Sequence, residues 1–208
     1  MTNMPNTQRL YMVDDDLAIL DSMQFMLLQY GYDLQIFDSA EHFLKNIDTS
    51  LAACLIVDSN MPDITGQQLQ QTLVNANSPI GIIFLTGHGD LPMAVNAFRQ
   101  GACDFFQKPV KGKELVQAIE KALLVSGHEY ETIQLQQRYS TLTERENQVL
   151  QLLIAGKTNK QMADTLYVSL RTIEVHRAKI IKKLEVHNAA ELAKFSPFLS
   201  NNANIDVS

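Results

Sequence analysis

The sequence predicts an N-terminal α/β domain built on a doubly wound parallel sheet, followed by a smaller domain made only of helices. In the first 125 residues, short apolar runs rich in Val, Ile and Leu alternate with segments of helical periodicity. After residue 140, helical periodicity continues without such runs. The chain has 208 residues, of which 46% are hydrophobic, so it can bury the cores that one or two domains need.

Five strands and five helices are predicted in the first domain, which we assign to residues 1–125. The apolar runs end directly in polar residues, as buried parallel strands do, and they lie at residues 9–13, 33–37, 53–57, 81–85 and 104–107. Helical patterns fill the intervals at residues 17–30, 39–47, 65–75, 91–100 and 112–124. Between residues 111 and 139 the main helix breakers are Gly112 and Gly127, so a linker helix is predicted over residues 126–140. Gly127 is a candidate domain edge.

The second domain is assigned to residues 141–199, and residues 200–208 are predicted to be a disordered tail. Three helix starts carry N-cap side chains, two of them in capping boxes: Thr143 with Glu146, Thr158 with Gln161, and Ser169. The second and third helices are joined by three residues, which is the spacing of a helix-turn-helix motif, and a further helix closes the domain: residues 159–166, 170–184 and 189–195.

Polar side chains stand at the ends of four predicted strands: Asp14 and Asp15, Asp58, Thr86, and Lys108. Because the carboxyl ends of parallel strands meet at one edge of a sheet, these side chains should lie close together. Three adjacent carboxylates repel one another unless a cation or a shared proton offsets the repulsion. Mg²⁺ or Mn²⁺ prefers oxygen ligands, so we predict a site formed by Asp15, Asp58 and a carbonyl near Asn60, with Asp14 acting through water.

Asp58 is the predicted nucleophile of this site. A carboxylate can accept a phosphoryl group as an acyl phosphate when cations stabilise the transferred oxygens. Lys108 would supply a positive charge, and the Thr86 hydroxyl would be a neutral donor that turns toward the new group. An isolated Asp after a strand is more often a helix cap, but the joint pattern at four strand ends favours the phosphoryl acceptor.

The helix at residues 170–184 is the predicted recognition helix. A rotation of about 100° per residue places Ile173, Ile180 and Leu184 on one face, which is predicted to be core. The other side carries the candidate DNA contacts. Base edges are assigned to Glu174, which can accept from cytosine, and to Val175, with Ala178 beside them. Phosphate contacts are assigned to Lys160, Arg171, Thr172, Lys179 and Lys182.

The charge distribution differs between the two domains although the net charge is −6. Residues 1–125 carry 14 acidic and 7 basic side chains, giving −7, whereas residues 141–208 carry 7 and 9, giving +2; the linker adds −1. Residues 157–183 hold seven Lys or Arg against two acids, which indicates a polyanionic partner. A solvated helix face is the alternative, and charge alone favours it.

The first domain resembles the receiver domain of two-component response regulators, most closely the FixJ-like subgroup. The motifs are VDDD at 13–16, VDSNMP at 57–62, LTGHGD at 85–90 and KP at 108–109, and the match covers about residues 8–125. The resemblance implies a flavodoxin-like fold and phosphoryl transfer from a sensor histidine kinase. It also implies that Thr86 turns inward together with Phe105, although Phe106 is the more expected core residue and Phe105 could simply be packing. Asn60 and His88 would tune dephosphorylation, with a solvated loop histidine as the alternative for His88.

Residues 142–186 resemble the LuxR-type DNA-binding domain, with TIEVHRAKI at 172–180 in the recognition position. The resemblance implies promoter DNA and RNA polymerase as partners, and a homodimer that forms on phosphorylation through the face running from the helix at 91–100 to Phe105. The closing helix, at 189–195, would add a dimer contact on DNA. Many members carry Lys where this chain has Glu174, which alters the expected base preference.

The sequence disfavours two alternative functions. Phosphatases resembling haloacid dehalogenases carry a second Asp two residues after the nucleophile, where this chain has Asn60, so we expect no enzyme activity beyond slow self-dephosphorylation. A regulator that ignores phosphate is disfavoured by the intact acidic site. No apolar run reaches the length of a membrane span and no signal core is present, so the chain is expected in the cytoplasm with no membrane partner.

Overall fold

The computed structural model of this chain describes residues 9–87, 91–188 and 190–199. It divides into two compact units, Met1–Tyr130 and Glu131–Ser208. The predicted disordered tail, residues 200–208, lies outside the described residues. Within the described ranges, every helix is too short or too polar to cross a membrane.

The first unit contains one sheet of five parallel strands in the order β2-β1-β3-β4-β5, which confirms the predicted fold class. The strands are β1 Leu10–Val13, β2 Leu34–Phe37, β3 Cys54–Val57, β4 Gly81–Thr86 and β5 Asp104–Gln107. The chain runs from β1 to β2 on one side and then crosses to β3 on the other side of β1. The strand order therefore reverses between β1 and β3, which is where open α/β sheets bind ligands.

Four of the five strands differ from the predicted bounds by one residue. Arg9, Asp33 and Ala53 precede their strands, and Thr86 belongs to β4 because it pairs with Gln107 of β5. The backbone N–H of Cys54 still donates to the carbonyl of Arg9 at 2.9 Å, so these shifts concern only the ends of the hydrogen-bonded ladder.

Helices α2 and α3 begin one residue later than predicted because their N-cap residues have extended backbones. Ser39 and Thr65 cap helices through their side chains without belonging to them. The helices are α1 Leu17–Gln29, α2 Ala40–Asn46, α3 Gly66–Asn75, α4 Leu91–Arg99 and α5 Gly112–Ser140. Helix α5 passes Gly127 without a break, beginning in the first unit and ending in the second. The domain boundaries that we drew from the sequence stay a prediction.

Both faces of the sheet are covered by helices. Alternate strand residues point to opposite faces, so Tyr11 and Val13 of β1 belong to one core and Leu10 and Met12 to the other. Helices α2, α3 and α4 contribute buried side chains to the first core, including Phe43, Leu69 and Ala97. Helices α1 and α5 cover the second core with Leu20, Leu27, Leu115 and Ile119. This arrangement leaves the carboxyl edge of the sheet for polar residues.

The second unit is helical, with α6 Glu144–Ile154, α7 Asn159–Leu166, α8 Leu170–Leu184, a 3₁₀ helix Glu191–Phe195 and α9 Ser196–Leu199. The predicted caps are confirmed, because Thr143 and Thr158 form capping boxes and Ser169 accepts from the N–H of Thr172. The predicted closing helix, residues 189–195, is present as the 3₁₀ helix Glu191–Phe195 followed by α9, and Ala189 lies outside the described residues. Pro197 lacks the N–H that a continuous α-helix would need there.

Candidate functional site

The ends of four strands bring the predicted acceptor site together. Asp14 follows β1, Asp58 follows β3, Thr86 ends β4 and Lys108 follows β5. Both aspartates and the threonine are buried, with exposed fractions of 1% for Asp14, 5% for Asp58 and 0% for Thr86. Because these strands are neighbours in the sheet, residues up to 94 positions apart in sequence come into contact.

Lys108 bridges the two buried carboxylates. Its Nζ donates to Asp14 Oδ2 at 2.6 Å and to Asp58 Oδ1 at 2.7 Å. Burial lowers the pKa of Lys108, but the hydrogen bonds and negative charges of Asp14 and Asp58 outweigh burial, so the pKa lies above its usual value. The lysine therefore stays charged near neutral pH and offsets the repulsion between the two acids.

The remaining carboxylate oxygens are also oriented by the backbone. Asp58 Oδ2 accepts from the N–H of Asn60 at 2.6 Å, and Asp14 Oδ1 accepts from the N–H of Asp16 at 3.1 Å. The backbone of Asp58 is itself fixed, because its N–H donates to the carbonyl of Val13 at 2.9 Å. The acceptor carboxylate thus has a defined position at the sheet edge.

The sequence predicted three clustered carboxylates, and the structure brings two onto the lysine. Asp15 is exposed, since the residue after Asp14 points away from the buried edge. In the three described ranges, no three Asp, Glu, His or Cys side chains lie close enough together to hold a metal ion. The donors nevertheless suit Mg²⁺ in chemical type: the carboxylates of Asp15 and Asp58 and a main-chain carbonyl near Asn60 are oxygen ligands, and Asp15 is open to a hydrated ion.

Thr86 ends β4 next to β5, the strand that carries two aromatic residues. The carbonyl of Thr86 accepts from the N–H of Lys108 at 2.8 Å, which links the two residues through the backbone. Phe105 stacks on Phe84, with ring centroids 6.0 Å apart, and packs against one core. Phe106 packs against the other core and is also only partly buried. The expected alternation is confirmed, because each ring covers its own face of the sheet, and the two rings fall in the same partly buried class.

Two further residues of the first unit bear on the proposed acceptor chemistry. His88 lies outside the described residues, so the structure does not locate it. Gly66, which we did not single out from the sequence, is the first residue of α3, and a Cβ there would lie 2.4 Å from the carbonyl oxygen of Asp58. Only glycine allows this close approach of α3 to the acceptor residue. A glycine directly after the N-cap Thr65 is the sole sequence signal for it.

Helix α8 has the two faces that the sequence predicted. Ile173, Ile180 and Leu184 are fully buried. Of the eight proposed DNA contacts, Thr172 is partly buried on this helix and Lys160 is exposed on α7. The remaining six lie on α8 and are exposed: Arg171, Glu174, Val175, Ala178, Lys179 and Lys182. Arg171 Nη1 lies 3.6 Å from Glu174 Oε2, so a proposed phosphate contact and a proposed base contact form an exposed ion pair.

The basic patch at residues 157–183 is smaller than its composition suggests. Arg177 donates to the side chain of Asn159 and thereby links α8 to α7. Lys183 Nζ donates to Glu146 Oε2 at 2.6 Å and to the carbonyl of Thr141 at 2.8 Å, which links α8 to the start of α6. Two of the seven cations therefore make internal contacts.

Comparisons with known proteins agree with this geometry. Residues 10–120 match the response regulator receiver domain, and residues 140–196 match the bacterial regulatory proteins of the luxR family. The chain is 36% identical over 197 residues to the response regulator protein TodT of Pseudomonas putida, covering 93% of this chain and 87% of that protein. It is also 36% identical over 191 residues to the transcriptional regulatory protein FixJ of Bradyrhizobium diazoefficiens, covering 90% and 93%.

Solved structures give the same result. The response regulator StyR is 36% identical and has a TM-score of 0.69, with 91% of this chain and 98% of that chain covered. Full-length FixJ from B. japonicum is 34% identical and has a TM-score of 0.54, with 93% and 98% covered. This chain belongs to the family of two-component transcriptional response regulators that join a receiver domain to a LuxR-type DNA-binding domain.

Proposed function

We propose that this response regulator is switched by phosphorylation of Asp58, with the phosphoryl group supplied by a sensor histidine kinase. The observation that carries the proposal is the Asp14–Lys108–Asp58 arrangement, in which one cation bonds two buried carboxylates at the point where strand order reverses. Such a site offers a fixed positive charge that can stabilise a further anion beside the two carboxylates.

Phosphoryl transfer makes one bond and breaks one. A carboxylate oxygen of Asp58 bonds to phosphorus, the bond from phosphorus to the kinase imidazole breaks, and the imidazole leaves with its electron pair. Lys108 already lies 2.7 Å from Asp58 and can pair with the phosphoryl oxygens. Mg²⁺ or Mn²⁺, held by Asp15, Asp58 and the carbonyl near Asn60, with Asp14 acting through water, supplies additional positive charge when it is bound.

Thr86 and Phe105 carry the change outward in this proposal. A phosphoryl group adds a charge of about −1.5 to −2 and several strong acceptors, which attract the Thr86 hydroxyl. Thr86 is fully buried at the end of β4, so its side chain cannot turn without affecting its neighbours. Phe105 lies on the neighbouring strand β5, two residues before Gln107, which pairs with Thr86, and its half-buried ring is proposed to move inward with the threonine.

Dimerisation through α4 is the proposed output of the first unit. Helix α4 exposes Leu91, Val95 and Phe98, with exposed fractions of 77%, 40% and 47%. An apolar surface of this kind supports an isologous contact between two copies. A dimer binds two DNA half-sites at once, so promoter affinity rises without any change in the recognition helix.

DNA contact is assigned to the second unit. Glu174, Val175 and Ala178 are proposed to face base edges, and the phosphate contacts are proposed to be Lys160, Arg171, Thr172, Lys179 and Lys182. RNA polymerase is the proposed downstream partner, and the cytoplasm, where promoters lie, is the proposed location. The boundaries proposed for the receiver, linker and DNA-binding parts are residues 1–125, 126–140 and 141–199.

Slow self-dephosphorylation is the one catalytic turnover that we propose. Asn60 is exposed next to Asp58, where its side chain can influence the approach of water to the acyl phosphate. His88 is proposed to act with it. His88→Ala should change the phosphoryl lifetime, measured by the decay of the acid-labile phosphate.

Solution mass tests the phosphorylation switch. Light scattering would compare the wild type, Asp58→Ala and the exposed α1 control Asp21→Ala, each with and without Mg²⁺ and beryllofluoride. We expect a shift toward dimer in the wild type and the control only. Val95→Asp, on the exposed face of α4, should bind beryllofluoride but stay monomeric.

Two outcomes would contradict the proposal. An equal shift in Asp58→Ala would show that Asp58 is not the acceptor. A dimer in the Val95→Asp variant would remove α4 as the contact while leaving phosphorylation in place.

A further inference from the structure

Tyr167 has a backbone conformation that its own packing does not explain. It ends α7 with φ 53° and ψ 46°, which is the left-handed region. A bulky residue with a Cβ is strained in that region, and Gly, Asn or Asp is the usual occupant. The side chain is 95% exposed, so the aromatic ring gains little from burial in the folded chain. Backbone strain of this kind is often found at functional positions.

The other left-handed non-glycine residues in the described ranges differ from Tyr167. Asp63 and Asn77 are residue types that tolerate the conformation. Glu185 ends α8 and forms an ion pair with Arg138 at 2.9 Å. Tyr167 combines a bulky side chain with almost complete exposure. The turn between α7 and α8 is therefore the place where an exposed aromatic ring is retained at a strained position.

The turn is held firmly by its neighbours. Arg145 Nη2 donates to the carbonyl of Leu166 at 2.5 Å, and the N–H of Val168 donates to the carbonyl of Ala163 at 3.0 Å. Val168 also packs against the core of the second unit. Since the backbone is fixed on both sides of Tyr167, the ring is displayed at a defined place. A ligand that binds the ring therefore pays little ordering entropy.

The helix-turn-helix geometry determines what lies opposite this turn. The first helix of the motif crosses the sugar–phosphate backbone, and the N-terminal residues of the recognition helix enter the major groove. The turn that joins them, Tyr167 to Ser169, must therefore lie next to the phosphates that border the groove. Leu170 and Arg171, which begin α8 directly after this turn, are exposed.

We propose that Tyr167 is a DNA-contact residue whose phenolic hydroxyl donates a hydrogen bond to a backbone phosphate oxygen at the edge of the groove. The proposal rests on the DNA-binding function of the second unit. Tyrosine is among the side chains that bind phosphate through an uncharged donor. The contact adds affinity without releasing a counterion, so it differs measurably from a lysine contact.

The test uses the full chain and a fluorescent duplex of about 30 base pairs of random sequence, with anisotropy measured between about 50 and 200 mM salt. Tyr167→Phe removes only the hydroxyl and should weaken binding about tenfold at each salt concentration. The slope of log affinity against log salt should stay at the wild-type value. The control Lys182→Gln should weaken binding and reduce that slope by about 1.

Tyr167→Asn separates a DNA contact from a structural role. Asn fits the left-handed conformation better than Tyr, so the unfolding midpoint should stay level or rise while DNA affinity falls at least as far as in Tyr167→Phe. Wild-type affinity in Tyr167→Phe, or a parallel loss of stability and affinity in Tyr167→Asn, would overturn the proposal. A wild-type chain that does not bind the duplex would overturn the DNA-binding assignment as well, and the Lys182→Gln slope reports on that assignment separately.

Discussion

Replacing Glu146 by Gln should destabilise the DNA-binding unit in a way that depends on pH. Glu146 is only 3% exposed, and its Oε2 accepts from Lys183 Nζ at 2.6 Å and from the N–H of Thr143 at 2.9 Å. Burial raises the pKa of Glu146, but the hydrogen bonds from Lys183 and Thr143 outweigh burial and lower the pKa from 4.5 to about 2. The ionised carboxylate is thus bound more strongly in the folded state than in the unfolded state.

The size of the effect follows from the pKa difference. The difference is 4.5 − 2 = 2.5. At about 1.36 kcal/mol per pKa unit this corresponds to roughly 3.4 kcal/mol as an upper limit. Water screens the pair, because the Lys183 side chain is 33% exposed, so we expect about 2 kcal/mol. For a unit of this size, that loss lowers the unfolding midpoint by about 10 °C.

The sign of the pH dependence is fixed by the direction of the pKa change. Because the folded-state pKa is depressed, the stabilisation is fully present above the unfolded pKa of 4.5 and is lost as pH falls through about 2. The wild type should therefore exceed Glu146→Gln in stability at about pH 7, and the difference should shrink to less than half at about pH 3.

Thermal unfolding followed by circular dichroism would measure this effect. Hydrogen exchange of peptides from α6 and α8 would identify the unit that opens. Glu144→Gln is the matched control, since Glu144 lies in the same first turn of α6 but is exposed. A loss in Glu144→Gln as large as in Glu146→Gln would refute the reasoning. So would a difference between wild type and Glu146→Gln that is the same at both pH values.

Three other predictions concern the acceptor site. Gly66→Ala should slow phosphorylation of Asp58 by a small-molecule phosphodonor at least tenfold, which corresponds to an activation free energy higher by roughly 1.4 kcal/mol or more, because its Cβ would lie 2.4 Å from the Asp58 carbonyl oxygen. An unchanged rate in a folded variant would show that the loop adjusts freely. Removing divalent metal with a chelator should abolish phosphorylation of Asp58, and restored activity on adding Mg²⁺ is the control; full activity without metal would contradict the assigned ligands. Lys108→Met should leave two buried carboxylates without their cation, so phosphorylation should be lost and the unfolding temperature of the first unit, measured by calorimetry, should fall by several degrees. Wild-type stability would show that these ion pairs are not needed for folding.

Local features of the fold were predicted well because their causes are local. The caps at Thr143, Thr158 and Ser169 depend on bonds that span three residues, and the bounds of α7 and α8 follow from them. The ends of β1, β3 and β4 were placed within one residue, since each apolar run stops at a polar residue. The closing helix was located from the sequence, but its 3₁₀ form was not, and Pro197 lacks the N–H that would continue an α-helix through this segment.

Features that depend on contacts through space needed the tertiary structure. The sequence by itself determined the family through its motifs. It also determined the parallel sheet and the convergence of Asp14, Asp58 and Lys108, because apolar runs and the polar residues that end them are short-range pattern. Only the folded chain decided that Lys108 bonds both carboxylates while Asp15 faces water, and that Lys183 pairs with Glu146, which is 37 residues away. The physical reason is that burial and ion pairing are set by which surfaces pack together, and residues distant in sequence carry no local signal of that packing.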